Sequence, residues 1–350
     1  IAGQPTGPVT DVAEVFNSYL YTGNGAVGSH QTGVDLGTEG GMVWIKGRSA
    51  STDHVIADTV LGDGVSVCPN STAGAISNQV YLGDTFATIG SDAKTNTNGA
   101  DYASWVFRQK EKFFDIVTYT GNGSARNIAH SLGSVPAMMI VKCTSTSGNR
   151  WNVYHKNASS SPESGRLALN TEDAWYGSGT VGAFADLWDE TAPTDTVFRV
   201  GSYGDVNNSG SSYVAYLFAD NSSEDLEDQI IKCGSFTTSG ATGYVDTGWE
   251  SQWVLIKCSS WGSPWYIVDN MRGFLLNGTD SPTLKIDSSA EAVQNISYRD
   301  SNSDGTIGIW GGSSRSNHTF IYMAIRAPMM VEPSAATDVF ATVVGRSSHA

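Results

Sequence analysis

Charge is scarce in this chain: only 16% of its 350 residues are Asp, Glu, Lys or Arg. Surface helices draw on Glu, Lys and Arg, so the shortage argues against a helical protein. Basic residues are the scarcer kind, 20 against 35 acidic ones, and the formal net charge is −15. A nucleic-acid binder needs a basic face to neutralise phosphates, so the balance points away from that class. Long apolar runs are missing too. Stretches such as Ala137–Val141 stop at strand length, far short of the roughly 20 residues of a membrane-spanning helix. No signal peptide opens the chain, and it starts at Ile1 rather than Met, which reads as processing or as a piece of a longer protein. Cysteine is limited to Cys68, Cys143, Cys233 and Cys258, with no CxxC spacing. Neither a disulfide framework nor a thiolate metal site has its pattern, so four unpaired, semi-buried thiols are expected.

Glycine is plentiful, at 39 residues, and Ser, Thr and Asn are dense. That is the composition of many short strands joined by tight turns. Hydrophobic residues at 40% are enough to fill cores. The acidic balance suits a protein kept soluble outside a cell, in salt that screens its self-repulsion.

The strongest signal is internal repetition. Phe16-Asn-Ser-Tyr-Leu-Tyr-Thr-Gly-Asn-Gly25 returns as Phe114-Asp-Ile-Val-Thr-Tyr-Thr-Gly-Asn-Gly123, and more loosely as Ile231-Lys-Cys-Gly-Ser-Phe-Thr-Thr-Ser-Gly240. Each alternates apolar and polar residues before a Gly-containing turn, the pattern of a strand entering a hairpin. A second landmark follows each time: Met42-Val-Trp-Ile-Lys46, Met138-Met-Ile-Val-Lys142 and Trp253-Val-Leu-Ile-Lys257. Continuous apolar runs of this length fit central strands covered on both faces. Third come His54–Asp58, Trp151–His155 and Trp265–Asp269, and each copy closes on Tyr102–Phe107, Tyr213–Phe218 or Phe320–Ile325. Asn98-Gly99 and Ser209-Gly210 before the first two closings are tight-turn pairs. The expected architecture is all-β: three tandem β-sandwich, jelly-roll-like modules of about 100–120 residues each. Their expected spans are 1–110, 111–228 and 229–335. Residues 336–350 follow as a strand or tail resembling the opening of a further module, because Asp338-Val-Phe340 parallels Glu14-Val-Phe16.

Catalytic patterns are missing. The six histidines form no HExxH or Cys/His cluster, and there is no GxSxG elbow, P-loop or strand-to-helix GxGxxG. Asp58 and Asp269 hold matching places in two copies, but the middle copy has His155 there. A position that changes chemistry so freely reads as structural, so an enzyme is not expected. Asp300-Ser-Asn302-Ser-Asp304-Gly305 matches the start of a calcium loop, in which alternate oxygens converge on a hard cation. Gly311 stands where an EF-hand places its bidentate Glu, which favours an ordinary polar hairpin turn over calcium. No other cofactor is implied. Trp175, Trp188 and Trp261 lie in loop-rich stretches, where an indole face can stack on a sugar ring. Packing is the competing role for all three.

The Tyr-Thr-Gly-Asn-Gly turns at Tyr21–Gly25 and Tyr119–Gly123, with Val43–Lys46, Ile140–Lys142 and Tyr213–Phe218 downstream, resemble a repeat family of marine bacteriophages, cyanophages above all. Ile128–Pro136 is similar to that family as well. The resemblance covers the first two copies well and the third loosely. The modules also look somewhat like laminin-G/concanavalin-type sandwiches. The resemblance implies an external virion protein: a tail fibre, adhesin or capsid appendage that contacts the host surface or its glycans. Its implied partners are further copies of itself and other virion proteins, with no nucleic acid and no membrane insertion. A secreted bacterial adhesin, or the carbohydrate-binding part of a depolymerase, is the alternative.

Overall fold

The computed structural model describes residues 10–177, 185–226, 228–240, 242–273, 281–290, 293–300, 306–310 and 316–328. The fold is all-β, with antiparallel sheets and a few single-turn helices such as Ala93–Asn96 and Gly204–Asn207. The segment resembling a further module opening, 336–350, lies outside the described residues.

One sheet order recurs in each repeat. An opening strand (Phe16–Thr22, Phe114–Thr120 or Ile231–Thr237) pairs with the closing strand (Asp101–Arg108, Ser212–Phe218 or Thr319–Arg326). The closing strand pairs next with a central strand (Gly41–Gly47, Met138–Cys143 or Ser251–Cys258). Beyond it lie a third strand (Val55–Asp58, Asn152–His155 or Trp265–Asp269) and an outer strand (Val65–Val67, Gly165–Ala168 or Ser281–Lys285). The registers agree as well. Phe16 faces Phe107, Phe114 faces Phe218 and Ile231 faces Ile325 at the same point of the ladder.

The Tyr-Thr-Gly-Asn-Gly turn is built for close approach. A Cβ on Gly23 or Gly121 would lie 2.3 or 2.2 Å from a backbone carbonyl oxygen of the Thr97 or Asn208 turn. Gly25 and Gly123 have φ of 71° and 75°, a region L side chains avoid. Into this turn reach two buried amides. Asn96 Nδ2 donates to Ala26 O and Gly90 O, and Asn207 Nδ2 donates to Ser124 O and Gly201 O, all at 2.7 Å. The motif is therefore a backbone staple between the opening and closing strands.

The continuous apolar runs have covers on both faces, and the two covers differ. In the first repeat Val43 and Ile45 pack on Val80 and Ile89, which belong to a small three-stranded sheet of the same repeat. Met42 and Trp44 face the other way, into a core shared by all three repeats with Ile140, Trp151, Trp253, Leu255 and Trp265. Trp105 and Phe107 of the first closing strand meet Trp253 of the third repeat at ring-centroid distances of 6.5 and 5.6 Å. Phe107 also meets Phe218 of the second repeat at 5.8 Å. Burying an aromatic or aliphatic side chain contributes roughly 1.5–3 kcal/mol, so this shared face is the main adhesive between repeats.

Candidate functional site

Among the described residues, polar and titratable groups gather in the shared core and in a cleft beside the second repeat. At the junctions between repeats, the Lys one residue before the end of each central strand is wholly buried. Lys46 Nζ donates to Thr52 O of its own repeat and to Ser289 O of the third. Lys142 Nζ donates to Asn149 O and to Thr72 O of the first. Lys257 Nζ donates to Ser263 O and to Glu172 O of the second. Each ammonium thus ties its repeat to one neighbour, in a cyclic order: first to third, second to first, third to second. Burial pushes the pKa of Lys142 and of Lys257 down to about 8.

The residue at or just before the start of each third strand repeats the cycle. His54 Nε2 meets Lys285 O at 2.9 Å, Trp151 Nε1 donates to Cys68 O at 3.0 Å, and Trp265 Nε1 donates to Ala168 O at 2.9 Å. These acceptors are one position in three copies, since Ile56, Val153 and Ile267 pair with Val67, Leu167 and Leu284, each one residue before the acceptor. The backbone N–H of the same three residues donates to Asn70, Asn170 and Asp287. Trp44 Nε1 donates to His54 Nδ1 at 3.0 Å, so the imidazole proton sits on Nε2 and goes to Lys285.

The changeable position at the end of the third strand also has its reason. Asp58 Oδ2 accepts from Tyr216 OH of the second repeat at 2.7 Å, and Asp269 Oδ2 accepts from Trp105 Nε1 of the first at 2.9 Å. The residue matching Trp105 and Tyr216 in the third closing strand is Met323, which offers no donor. Facing that repeat, the second repeat carries His155, whose Nε2 lies 3.1 Å from Tyr322 O. The Asp-to-His change follows the loss of a donor across the junction. Burial holds His54 down at about 3 and His155 at about 4, and it raises the pKa of Asp58.

The second place is a cleft of about 450 Å³ lined by Arg150, Arg166, Asp173, Trp175 and Tyr176 among others. It borders the third repeat, where Trp175 N donates to Ser259 O at 2.8 Å. Arg166 is buried and contacts Asn152 Oδ1 at 3.4 Å and Asp205 Oδ2 at 3.5 Å, both long for charge-assisted bonds. Burial and the nearby Arg150 lower its pKa. Arg150 is half-buried, and among the described residues its guanidinium has no hydrogen bond or ion pair. Tyr176 is 40% exposed. The cleft therefore combines two neighbouring cations, one rim carboxylate and two aromatic rings.

The sequence candidates fall in different places. Trp175 lines the cleft. Trp188 is core: it is wholly buried, donates to Gly165 O at 3.0 Å and packs edge-on against Tyr154, so no ligand reaches its face. Trp261 sits at a hairpin tip, 46% exposed and stacked on His318 at 5.6 Å, and does not line the cleft. Asp300 ends a strand opposite Ile307, while Asn302 and Asp304 lie outside the described residues. No group of three or more His, Cys, Asp or Glu able to hold a metal occurs among the described residues. The four cysteines are free and buried. Arg150 and Arg166 were not singled out by sequence, although aligning the repeats exposes them. Their counterparts are Asp53 and Pro264 for Arg150, and Ser66 and Thr283 for Arg166.

Residues 11–328 match the model of the family described as "Domain of unknown function (DUF7483)". No curated protein matches the chain.

Proposed function

We infer that this chain, which belongs to the DUF7483 family, is an external structural component of a bacteriophage virion. The reading takes it as three β-sandwich modules forming a tail fibre, adhesin or capsid appendage that contacts the host surface. The observation that carries it is where the repeat-wide polar residues go. Lys46, Lys142 and Lys257, with His54, Trp151 and Trp265, are consumed in holding the three repeats to one another. A chain whose recurring chemistry is all internal cohesion, under an acidic surface, suits a rigid particle part better than a catalyst. The resemblance of its turns and closing strands to phage repeat proteins supports the same reading. Its partners are other copies of itself and neighbouring virion proteins, and multivalency on a symmetric particle converts weak surface contacts into avidity.

Labelling the protein on intact particles and imaging them by electron microscopy tests this. Density outside the capsid or on the tail is the expected result, and purified virions lacking the protein would overturn it. The arginine-aromatic cleft favours a second reading, the carbohydrate-binding part of a depolymerase. Reducing ends released from host polysaccharide by the intact particle would decide for that reading.

A further inference from the structure

The cleft beside the second repeat stands out because the frame around it is triplicated and its lining is not. The outer strands Val65–Val67, Gly165–Ala168 and Ser281–Lys285 pair with their third strands in the same register. Across two of the junctions the following segment touches the next repeat in the same way: Ala75 N donates to Thr144 O at 2.7 Å, and Trp175 N donates to Ser259 O at 2.8 Å. Asp53 and Pro264 fill the place of Arg150, Ser66 and Thr283 that of Arg166, and Ala75 that of Trp175. Residues without a guanidinium or an indole thus satisfy the frame in the sister repeats. Folding does not ask for two adjacent arginines and an indole at this spot. In a chain of net charge −15, two guanidiniums stand together here beside the Asp205 and Asp173 carboxylates, and among the described residues that of Arg150 has no hydrogen bond or ion pair.

We propose that this cleft binds a saccharide unit carrying a carboxylate, with the acid group on Arg150 and Arg166. The chemistry of each wall matches one part of such a ligand. A guanidinium offers a planar pair of donors fitted to a carboxylate, and charge-assisted bonds of this kind are strong where water is partly excluded. The Asp173 carboxylate at the rim accepts from sugar hydroxyls. Half-buried Trp175 and the partly exposed ring of Tyr176 line the cleft with apolar surface suited to the C–H side of a pyranose. The volume of about 450 Å³ admits one or two sugar rings, in the range of small-ligand sites. The inference deepens the surface-contact reading above and rests on it for its biological meaning. It is nevertheless measured on the purified chain, so failure to find the protein on particles and failure of the cleft to bind are separate results.

The test is calorimetric titration of the whole chain with trigalacturonate, with maltotriose and with sodium sulfate, repeated on Arg150→Gln and Trp261→Ala. Among the described residues the Arg150 guanidinium has no hydrogen bond or ion pair, so the first variant should fold as the parent does, which an unchanged melting temperature verifies. Trigalacturonate should bind the parent and the Trp261→Ala variant alike. Arg150→Gln should weaken it about tenfold or more, the scale of one charge-assisted contact. Maltotriose should bind at least about tenfold more weakly than trigalacturonate. Equal binding of the neutral sugar, undiminished binding by Arg150→Gln, or no heat with trigalacturonate near its solubility limit would each overturn the proposal. Sulfate binding as tightly as trigalacturonate would overturn the saccharide part and leave a bare anion site.

Discussion

The indole N–H of Trp105 donates to a carboxylate oxygen of Asp269 at 2.9 Å, joining side chains 164 positions apart in the chain. The guanidinium of Arg272 donates to the same oxygen at 2.7 Å and lies 5.7 Å from the Trp105 ring. The Arg272 backbone N–H donates to the other carboxylate oxygen at 3.0 Å, so this buried carboxylate is satisfied by two donors from its own repeat and one from its neighbour.

The matching bond between Tyr216 and Asp58 allows the cleaner substitution, because Tyr216→Phe deletes a hydroxyl and little volume. Asp58 Oδ1 keeps the Val60 and Leu61 amides, while Oδ2 loses its donor. An acceptor left dry in a core costs about 1–3 kcal/mol. Urea unfolding of the variant should show a loss of that size with an unchanged slope. A loss below about 0.5 kcal/mol would mean that water replaces the hydroxyl.

Acid should destabilise the protein well above the carboxylate range. In the unfolded chain His54 and His155 take up protons near 6.5, but in the fold burial delays protonation to about 3 and about 4. Their contribution is fully present above pH 6.5 and is lost as pH falls toward 4, because the unfolded state binds the extra protons. Asp58, with its raised pKa, works in the opposite direction at the acid end. Urea midpoints measured from pH 7 to 4 should fall, and His155→Gln, which keeps a donor but cannot titrate, should flatten part of the decline.

Alkali should first stabilise and then destabilise. Lys142 and Lys257 titrate near 8 in the fold against 10.5 unfolded. Over that interval the unfolded chain holds protons that the fold has released, so stability rises with pH. Above about 10 the buried tyrosines reverse the trend. Burial raises the pKa of Tyr119 and Tyr216, so they ionise more readily once unfolded. Unfolding midpoints from pH 7.5 to 11 should pass through a maximum, and Lys142→Met should shrink the rising limb.

A single repeat should not stand alone as a monomer. Excised residues 111–228 would expose Met138, Ile140, Trp151 and Tyr216, which the fold buries against the other repeats. An apolar patch of that kind drives association. Sedimentation should find oligomers or aggregate, with the trimer as the specific product. A stable, monodisperse monomer would show that the shared core is dispensable.

Much of the fold is legible in the sequence because its signals are local. The Gly-Asn-Gly turns, the alternating opening strands and the apolar central runs specify strands within a few residues of themselves. The order of the sheet follows from seeing those signals three times. The shared core is not local. Nothing near Lys46 announces Ser289, and nothing near His54 announces Lys285, so covered central strands are readable while the identity of the outer cover is not. Trp188 shows the same limit, since a tryptophan in a loop-rich stretch looks the same whether it packs inward or faces solvent. The cleft arginines are isolated residues without a motif. Only comparison with Asp53, Pro264, Ser66 and Thr283 marks them as departures from the repeat.

The cyclic order of the junctions also imposes a timetable on synthesis. His54 and Lys46 close onto Lys285 and Ser289, which lie 231 and 243 residues further along the chain. At ~5–20 residues per second the ribosome needs roughly 10–50 s to deliver those partners. Throughout that interval the first repeat shows an uncovered face bearing Met42, Trp44 and Trp105. Many chains translated at once in a crowded cell would offer such faces to one another before any could close. Yield in a host should therefore depend on chaperone supply and translation speed more than on the stability of the finished protein.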